Sequence, residues 1–236
     1  MGRYSEYESR AYLQPGQQEI SAKAYNMIIG GTLLYGFVVN AIIVLLFNRY
    51  LNNMSYSAAQ SFANNYGGIL IGVLIGYIAC VLIGGRMISK QNAKISFIGF
   101  NFYCIPIGIV LAIAILPYYD VDTIQRAFIL TALLTAVVMV LSTIMPDAFL
   151  NMGKTLLICA SACLLVDLVA LLIFRQDLTL IDFALTIIFA LFIGYDWARA
   201  SLCAKTADNA VDCAALLYLN IINVFLRALQ VMSKRK

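Results

Sequence analysis

The chain has 236 residues, of which 62% are hydrophobic and only 12% charged, with a mean hydropathy of +0.87. Soluble domains carry about 25% charged residues, so this composition excludes a soluble protein. The formal net charge of +4 is small and spread over connections and termini, which excludes a nucleic-acid-binding surface. The sequence contains no histidine, which excludes serine–histidine and cysteine–histidine catalysis.

Seven segments are long and apolar enough to cross a membrane, which takes about 20 residues of helix. They lie at residues 27–48, 67–85, 95–116, 124–145, 154–174, 178–199 and 210–232. The polar and aromatic stretch 49–66 is expected to lie along the membrane interface. The seventh segment is diluted by Asp212, Asn220, Asn223 and Arg227, so a buried or re-entrant helix stays open as an alternative to a full crossing.

The sequence therefore predicts an all-α membrane protein with residues 1–26 as a tail, 27–232 as a seven-helix domain and 233–236 as a basic tail. The first tail is polar and mixed in charge, unlike a cleaved signal peptide. Lys and Arg are concentrated in this tail and after the second and sixth segments, which predicts a cytoplasmic N-terminus. If all seven segments cross, the basic residues Lys234, Arg235 and Lys236 lie on the outer side of the membrane, which conflicts with this orientation.

Small residues in two segments have packing explanations. Gly68, Gly72 and Gly76 repeat every four residues, so a neighbouring helix is expected to approach that face closely. Cys159 and Cys163 share a helix face, but without histidine a metal pair is not expected. The six cysteines fall mostly in apolar segments and are interpreted as small hydrophobic residues, so the sequence predicts no disulfide and no cofactor.

Two aspartates lie inside apolar segments, where an ionisable group is by default a functional candidate. Asp167 is roughly central in the fifth segment, and Asp196 follows a long apolar run in the sixth. Asp182 is near the start of its segment, so we interpret it as a snorkelling side chain or one that stabilises the helix dipole. Asp208, at a helix end, is expected to be solvated by water.

Asp196 has two candidate partners. Arg199 is three residues further on the same helix face, so an ion pair at a helix end is the structural interpretation. Asn220 and Asn223 are one turn apart in the last segment, and buried amides seek hydrogen bonds with another helix. The carboxyl of Asp196 is the partner that we predict.

Two parts of the chain resemble a known family. In segment 124–153 the matching features are Ala127-Phe128, Thr131-Ala132, Leu141-Ser142, Asp147 and Gly153. Later come Gly194-Tyr195-Asp196 and the stretch from Ala214-Ala215-Leu216 through Leu217-Tyr218-Leu219-Asn220-Ile221-Ile222-Asn223-Val224-Phe225-Leu226. These residues resemble the Bax inhibitor-1 family, the transmembrane Bax inhibitor motif proteins and their bacterial YccA-like relatives, over roughly residues 27–232.

The resemblance implies a seven-helix bundle with a central seventh helix and a pH-sensitive calcium leak. In such relatives, an aspartate on each of the last two helices shares a proton and helps to close the pore. Asp196 matches the first aspartate, but Asn220 stands at the second. An aspartate facing an amide lacks the repulsion between like charges that makes paired acids bind a proton more tightly, so different pH gating is expected.

The chain is therefore expected to be a calcium or cation leak channel, with no enzymatic activity, in the bilayer of a bacterial inner membrane. The candidate residues for ion gating or ion contact are Asp196, Asn220, Asn223 and Asp167, with Arg199 as a charge partner and a transient cation at Asp196. No resident metal is predicted.

Two other functions stay open. The first is a non-conducting regulator that binds other membrane proteins and restrains a membrane protease or a stress or cell-death response. The glycine face at Gly68, Gly72 and Gly76 fits that role equally well. The second is an intramembrane aspartyl protease using Asp196 and Asp167, but the Gly-x-Gly-Asp motif of those enzymes is missing at Asp167.

Overall fold

The structure is a computed structural model, and it describes residues 13, 17–88, 90, 92–115, 120–170, 173 and 179–233. Most of the predicted N-terminal tail, and Lys234, Arg235 and Lys236 of the basic tail, lie outside the described residues.

Seven helices make up the described part of the chain, which contains no strand. Each is long and apolar enough to cross a membrane. This confirms the prediction of an all-α, seven-helix membrane fold. The helices are α1 (Ala22–Asn52), α2 (Tyr56–Ile88), α3 (Ala93–Ile115), α4 (Val121–Ile144), α5 (Pro146–Val169), α6 (Thr179–Leu202) and α7 (Ala207–Ser233).

The first connection differs from the prediction. α1 continues to Asn52 and α2 begins at Tyr56, so the connection has three residues where a long polar stretch at 49–66 was expected. The hydroxyl of Ser55 accepts a hydrogen bond from the backbone N–H of Ala58, as an N-terminal cap does. Residues 56–66 are polar, but they contain no proline, the residue that is least compatible with a helix interior. They form the first part of α2.

α7 is a continuous helix of 27 residues. At about 1.5 Å per residue it is about 40 Å long, which exceeds the hydrocarbon thickness of a bilayer. Its length favours a full crossing over the re-entrant alternative. None of its residues is exposed, in contrast to α2, where most residues are. A central helix requires such burial.

The chain divides into two compact units. The N-terminal unit comprises Leu13–Tyr119 with Ala204–Ala215, and in it α3 packs against α1 and α2. α2 and α3 touch through their backbones: a Cβ placed on Gly84 would lie 2.7 Å from the carbonyl oxygen of Gly99. This close approach depends on glycine in both helices.

The expected close approach at Gly68, Gly72 and Gly76 is wrong within this chain. Among the described residues, a Cβ on any of the three would have no atom within 4 Å beyond its own stretch of α2. The backbone contact of α2 is instead near its C-terminal end, at Gly84, close to the short connection that leads into α3. The glycine face of α2 therefore stays open.

The C-terminal unit comprises Asp120–Cys203 with Leu216–Lys236, and in it α6 packs against α4 and α5. Asp120 caps α4, because its Oδ1 accepts a hydrogen bond of 2.9 Å from the backbone N–H of Thr123. Pro146 begins α5 directly after Met145, a position that a proline favours because no helical N–H is lost. The larger part of α7 belongs to this unit.

Candidate functional site

Asp196 and Asn220 meet across α6 and α7. Nδ2 of Asn220 donates a hydrogen bond of 2.6 Å to Oδ2 of Asp196, whose residue is only 7% exposed. Oδ1 of the same carboxylate is 3.7 Å from Nη1 of Arg199. The predicted interhelical bond and the ion pair within α6 therefore exist together, one on each carboxylate oxygen.

The aromatic neighbour of Asp196 has partners on two sides. A Cβ on Gly153 of α5 would lie 2.5 Å from Cε2 of Tyr195, so a larger residue at this position would have to displace the ring. The guanidinium carbon of Arg199 is 4.9 Å from the ring centroid, within cation–π range. Tyr195 thus fixes Arg199, which in turn contacts Asp196.

Gly194 brings α4 close to the same region. Its carbonyl oxygen accepts a hydrogen bond of 2.6 Å from the hydroxyl of Ser142. A Cβ on Gly194 would be 2.7 Å from Cγ1 of Val138 and would also meet the ring of Phe149. Ser142 of α4 and Gly153 of α5, two residues of the family resemblance, therefore contact the Gly194-Tyr195-Asp196 segment, which also belongs to it.

Two other candidates lie elsewhere. Asn223 donates its amide N–H to the carbonyl oxygen of Leu219 at 2.9 Å, a bond within α7 and not to the Asp196 carboxylate. The α-helical part of α5 ends two residues after Asp167, at Val169, and the segment that follows is only partly described. Its Oδ2 accepts a 2.8 Å hydrogen bond from Nη1 of Arg227.

A second polar centre, which the sequence reasoning missed, forms around Arg227. Nη1 of Arg227 contacts Oδ2 of Asp167 and Oδ1 of Asp182, both at 2.8 Å, and Oε1 of Gln230 at 3.3 Å. We call Asp167, Asp182 and Arg227 the charge cluster. Asp182 neither snorkels nor serves only the helix dipole, since it is 3% exposed and bonded to Arg227. The tendency of charged residues in membrane segments to pair with one another was the available signal.

Asp208 corrects a further expectation. It is 4% exposed and accepts a hydrogen bond of 2.8 Å from the hydroxyl of Ser96, so it is not solvated by water. Both residues belong to the N-terminal unit, Ser96 in the first turn of α3 and Asp208 in the first turn of α7. This bond anchors the beginning of α7.

The Asp196 site is built from a carboxylate, an amide and a guanidinium. Within the described ranges, no group of three or more Cys, Asp or Glu side chains is placed to hold a metal ion. Cys159 and Cys163 are both free thiols, the first exposed and the second partly so. The arrangement can hold two helices together and present carboxylate oxygens inside the membrane domain.

Relatives support the family resemblance. Residues 17–236 match the family model described as "Inhibitor of apoptosis-promoting Bax1". The "Inner membrane protein YbhL" of Escherichia coli, in strain K12 and in strain O6:H1 (CFT073), is 23% identical over 246 residues, an alignment that covers all of both chains. No solved structure matches the chain significantly. With the motif residues gathered around Asp196 and nearly the whole length matched, the chain is a multi-pass membrane protein that belongs to the Bax inhibitor-1 family.

Proposed function

We propose that this protein lets calcium or other cations leak down their gradient across a bacterial inner membrane. Asp196 is the carboxylate that contacts or gates the ion, and Asn220 is its hydrogen-bond partner. We call the Asp196–Asn220 contact the latch. Membership of the Bax inhibitor-1 family supports this proposal, as does similarity to an inner membrane protein of E. coli. The observation that carries it is the 2.6 Å hydrogen bond between Asn220 and Asp196, which joins two membrane helices.

The chemistry of the latch suits a cation. Ca²⁺ prefers oxygen ligands from carboxylates and amides, and both groups are present at Asp196 and Asn220. Closed, the contact satisfies the carboxylate with an N–H donor. Opened, it offers these oxygens to an ion. Since Asn220 cannot ionise, this latch carries one carboxylate where the family resemblance implies two.

Flux through the purified full chain in liposomes tests the proposal, with a calcium-sensitive dye inside the vesicles. Asp196→Asn should change the Ca²⁺ flux on the order of tenfold, which corresponds to about 1.4 kcal/mol in the barrier. Asp122→Asn is the matched control, because Asp122 is an exposed acid in the first turn of α4. Equal flux for the wild type and both variants, from mildly acidic to mildly basic pH, would contradict the role of Asp196.

A non-conducting regulator is the second candidate, and the open face of α2 favours it. In the part of the chain that the structure describes, a Cβ added to Gly68, Gly72 or Gly76 meets no atom beyond its own stretch of α2 within 4 Å, so a helix of another membrane protein can approach there. A pure regulator gives no flux in the liposome assay. It co-purifies with a membrane protease, and Gly72→Leu abolishes that co-purification. Flux without any such partner excludes this candidate.

A further inference from the structure

Hydrogen bonds bring the ends of four helices together at one end of the N-terminal unit. The backbone N–H of Ile20, just before α1, donates to the carbonyl oxygen of Lys205, just before α7, at 2.7 Å. In the first turn of α3, the hydroxyl of Ser96 is 2.8 Å from Oδ1 of Asp208 and 3.2 Å from the carbonyl oxygen of Ile88. Since Ile88 is the last residue of α2, the starts of α1, α3 and α7 and the end of α2 lie at the same end of the unit.

Burial separates the charges at this end by sign. Asp208 and Asp212, which are one turn apart on α7, are 4% and 2% exposed. Three lysines are exposed: Lys23 in the first turn of α1, Lys90 in the connection between α2 and α3, and Lys94 in the first turn of α3. Because the two aspartates lie inside and the lysines outside, this end presents a positive surface.

Two further exposed charges at this end do not alter its sign. Glu19 and Arg86 contribute one charge each, of opposite sign. Arg86 also has an interaction within the protein. The three lysines are therefore the cations that we assign to a ligand.

The opposite end of the same unit carries less charge. Arg49 is 26 residues after Lys23 in α1, about 39 Å along the helix. From residue 50 to residue 66, which includes the connection to α2, the sequence has no charged residue. The positive surface is thus confined to one end, and Arg49 supplies an exposed control cation at the other.

Exposed apolar side chains lie one turn further along the helices from two of the lysines. Met27, four residues after Lys23 and on the same face of α1, is 66% exposed. Ile98, four residues after Lys94 on α3, is 50% exposed. Near the end of a membrane helix, lysine extends towards the headgroups, while apolar side chains deeper in the bilayer contact lipid tails. Each pair follows the order in which a phospholipid presents its phosphate and its acyl chains.

We propose that Lys23, Lys90 and Lys94 form a docking surface for the headgroup of an anionic phospholipid, whose acyl chains cover Met27 and Ile98. The negative headgroup complements the exposed lysines, whereas a zwitterionic headgroup brings a cation of its own. Each lysine near a charged membrane surface contributes about fivefold in affinity. A free phosphate ion would leave the apolar side chains unused. This surface is independent of the proposed leak function, because lipid binding requires no flux.

Native mass spectrometry of the purified full chain tests the proposal, since it resolves individual bound lipids. The probes are phosphatidylglycerol and phosphatidylcholine with the same acyl chains. The wild type should bind phosphatidylglycerol more tightly, on the order of a hundredfold for three lysines. Lys94→Gln should reduce this preference about fivefold, and combining it with Lys23→Gln and Lys90→Gln should remove the preference.

Two variants are controls for charge and position. Lys94→Arg keeps the positive charge and should keep the preference. Arg49→Gln removes a cation from the opposite end of the unit and should also leave the preference at the wild-type value. Each substituted side chain is exposed, so all variants should unfold at the wild-type Tm.

Three outcomes would overturn the proposal. Equal affinities of the wild type for the two lipids would leave the lysines with a role in membrane orientation alone. A loss in Arg49→Gln as large as that in Lys94→Gln would show that the preference comes from charge anywhere on the protein. Displacement of phosphatidylglycerol by inorganic phosphate, added as a third probe, would assign the lysines to a soluble anion.

Discussion

The Asp196 site and the charge cluster both contain carboxylates of the C-terminal unit, but α7 contributes a different kind of partner to each. Asn220 offers Asp196 a neutral amide, and the charge of Asp196 is balanced by Arg199 on its own helix. Seven residues later, about 10 Å along α7, Arg227 offers a full charge to two acids. The first contact can open without leaving an unbalanced charge, whereas the second cannot. The Asp196 site is therefore the more easily opened of the two.

The largest expected effect comes from removing the charged partner. Arg227→Leu removes the guanidinium that contacts both carboxylates and should reduce the free energy of unfolding by about 3–5 kcal/mol, as breaking a buried ion pair does. Asn220→Leu removes one hydrogen bond and should cost about 1 kcal/mol, the usual size for a membrane protein. Unfolding in mixed micelles measures both. Similar losses for the two variants would break the distinction between the sites.

A smaller effect should separate packing at the Asp196 site from open helix surface. Gly194→Ala places a methyl group against Val138 and Phe149, and overpacking of this kind costs about 1–3 kcal/mol. Gly72→Ala meets no atom within 4 Å and should change the stability by less than about 0.5 kcal/mol. Unfolding curves of the two variants test this. A loss for Gly72→Ala equal to that of Gly194→Ala would show that α2 has a partner in the folded protein.

An effect confined to one part of the pH range is expected from converting the amide into an acid. Asn220→Asp places a second carboxylate beside Asp196, and acids that titrate as a coupled pair interact by at least about 1.4 kcal/mol. At low pH one shared proton restores the hydrogen bond, and as the pH rises that proton is lost and the stability falls. Unfolding across a pH series should therefore show a decline on the basic side that the wild type lacks. Identical pH profiles would mean that the two side chains separate once both are charged.

Hydropathy was sufficient to predict the seven helices, because crossing a bilayer requires about 20 apolar residues whatever their neighbours. Hydropathy did not predict where the helices begin and end. Residues 49–66 are polar but form helix on both sides of a short turn, since polarity does not oppose helix formation in residues that lie beyond the apolar run. The glycine face of α2 was also misjudged, because small residues permit a close contact without specifying that one forms.

The Asp196–Asn220 contact was predictable because an acid and an amide on successive helices each required a partner. The charge cluster was not found, although its residues were visible in the sequence. Asp167 was considered only as a partner of Asp196, and Arg227 was interpreted as a charge that dilutes an apolar segment. Their contact could be predicted only from knowing which helix faces pack against one another.

The burial of α7 has a consequence for synthesis of the chain. Asp167, Asp182 and Asp196 enter the membrane on α5 and α6, but the side chains of Asn220 and Arg227 that bond to them are made last. Until α7 inserts, Asp167 and Asp182 lack the guanidinium of Arg227, and Asp196 lacks the amide of Asn220 but keeps Arg199 of its own helix. Insertion of the last helix is therefore the step that gives each of these carboxylates its contact with α7, and a chain that stops before Arg227 cannot form the contacts of that guanidinium with Asp167 and Asp182.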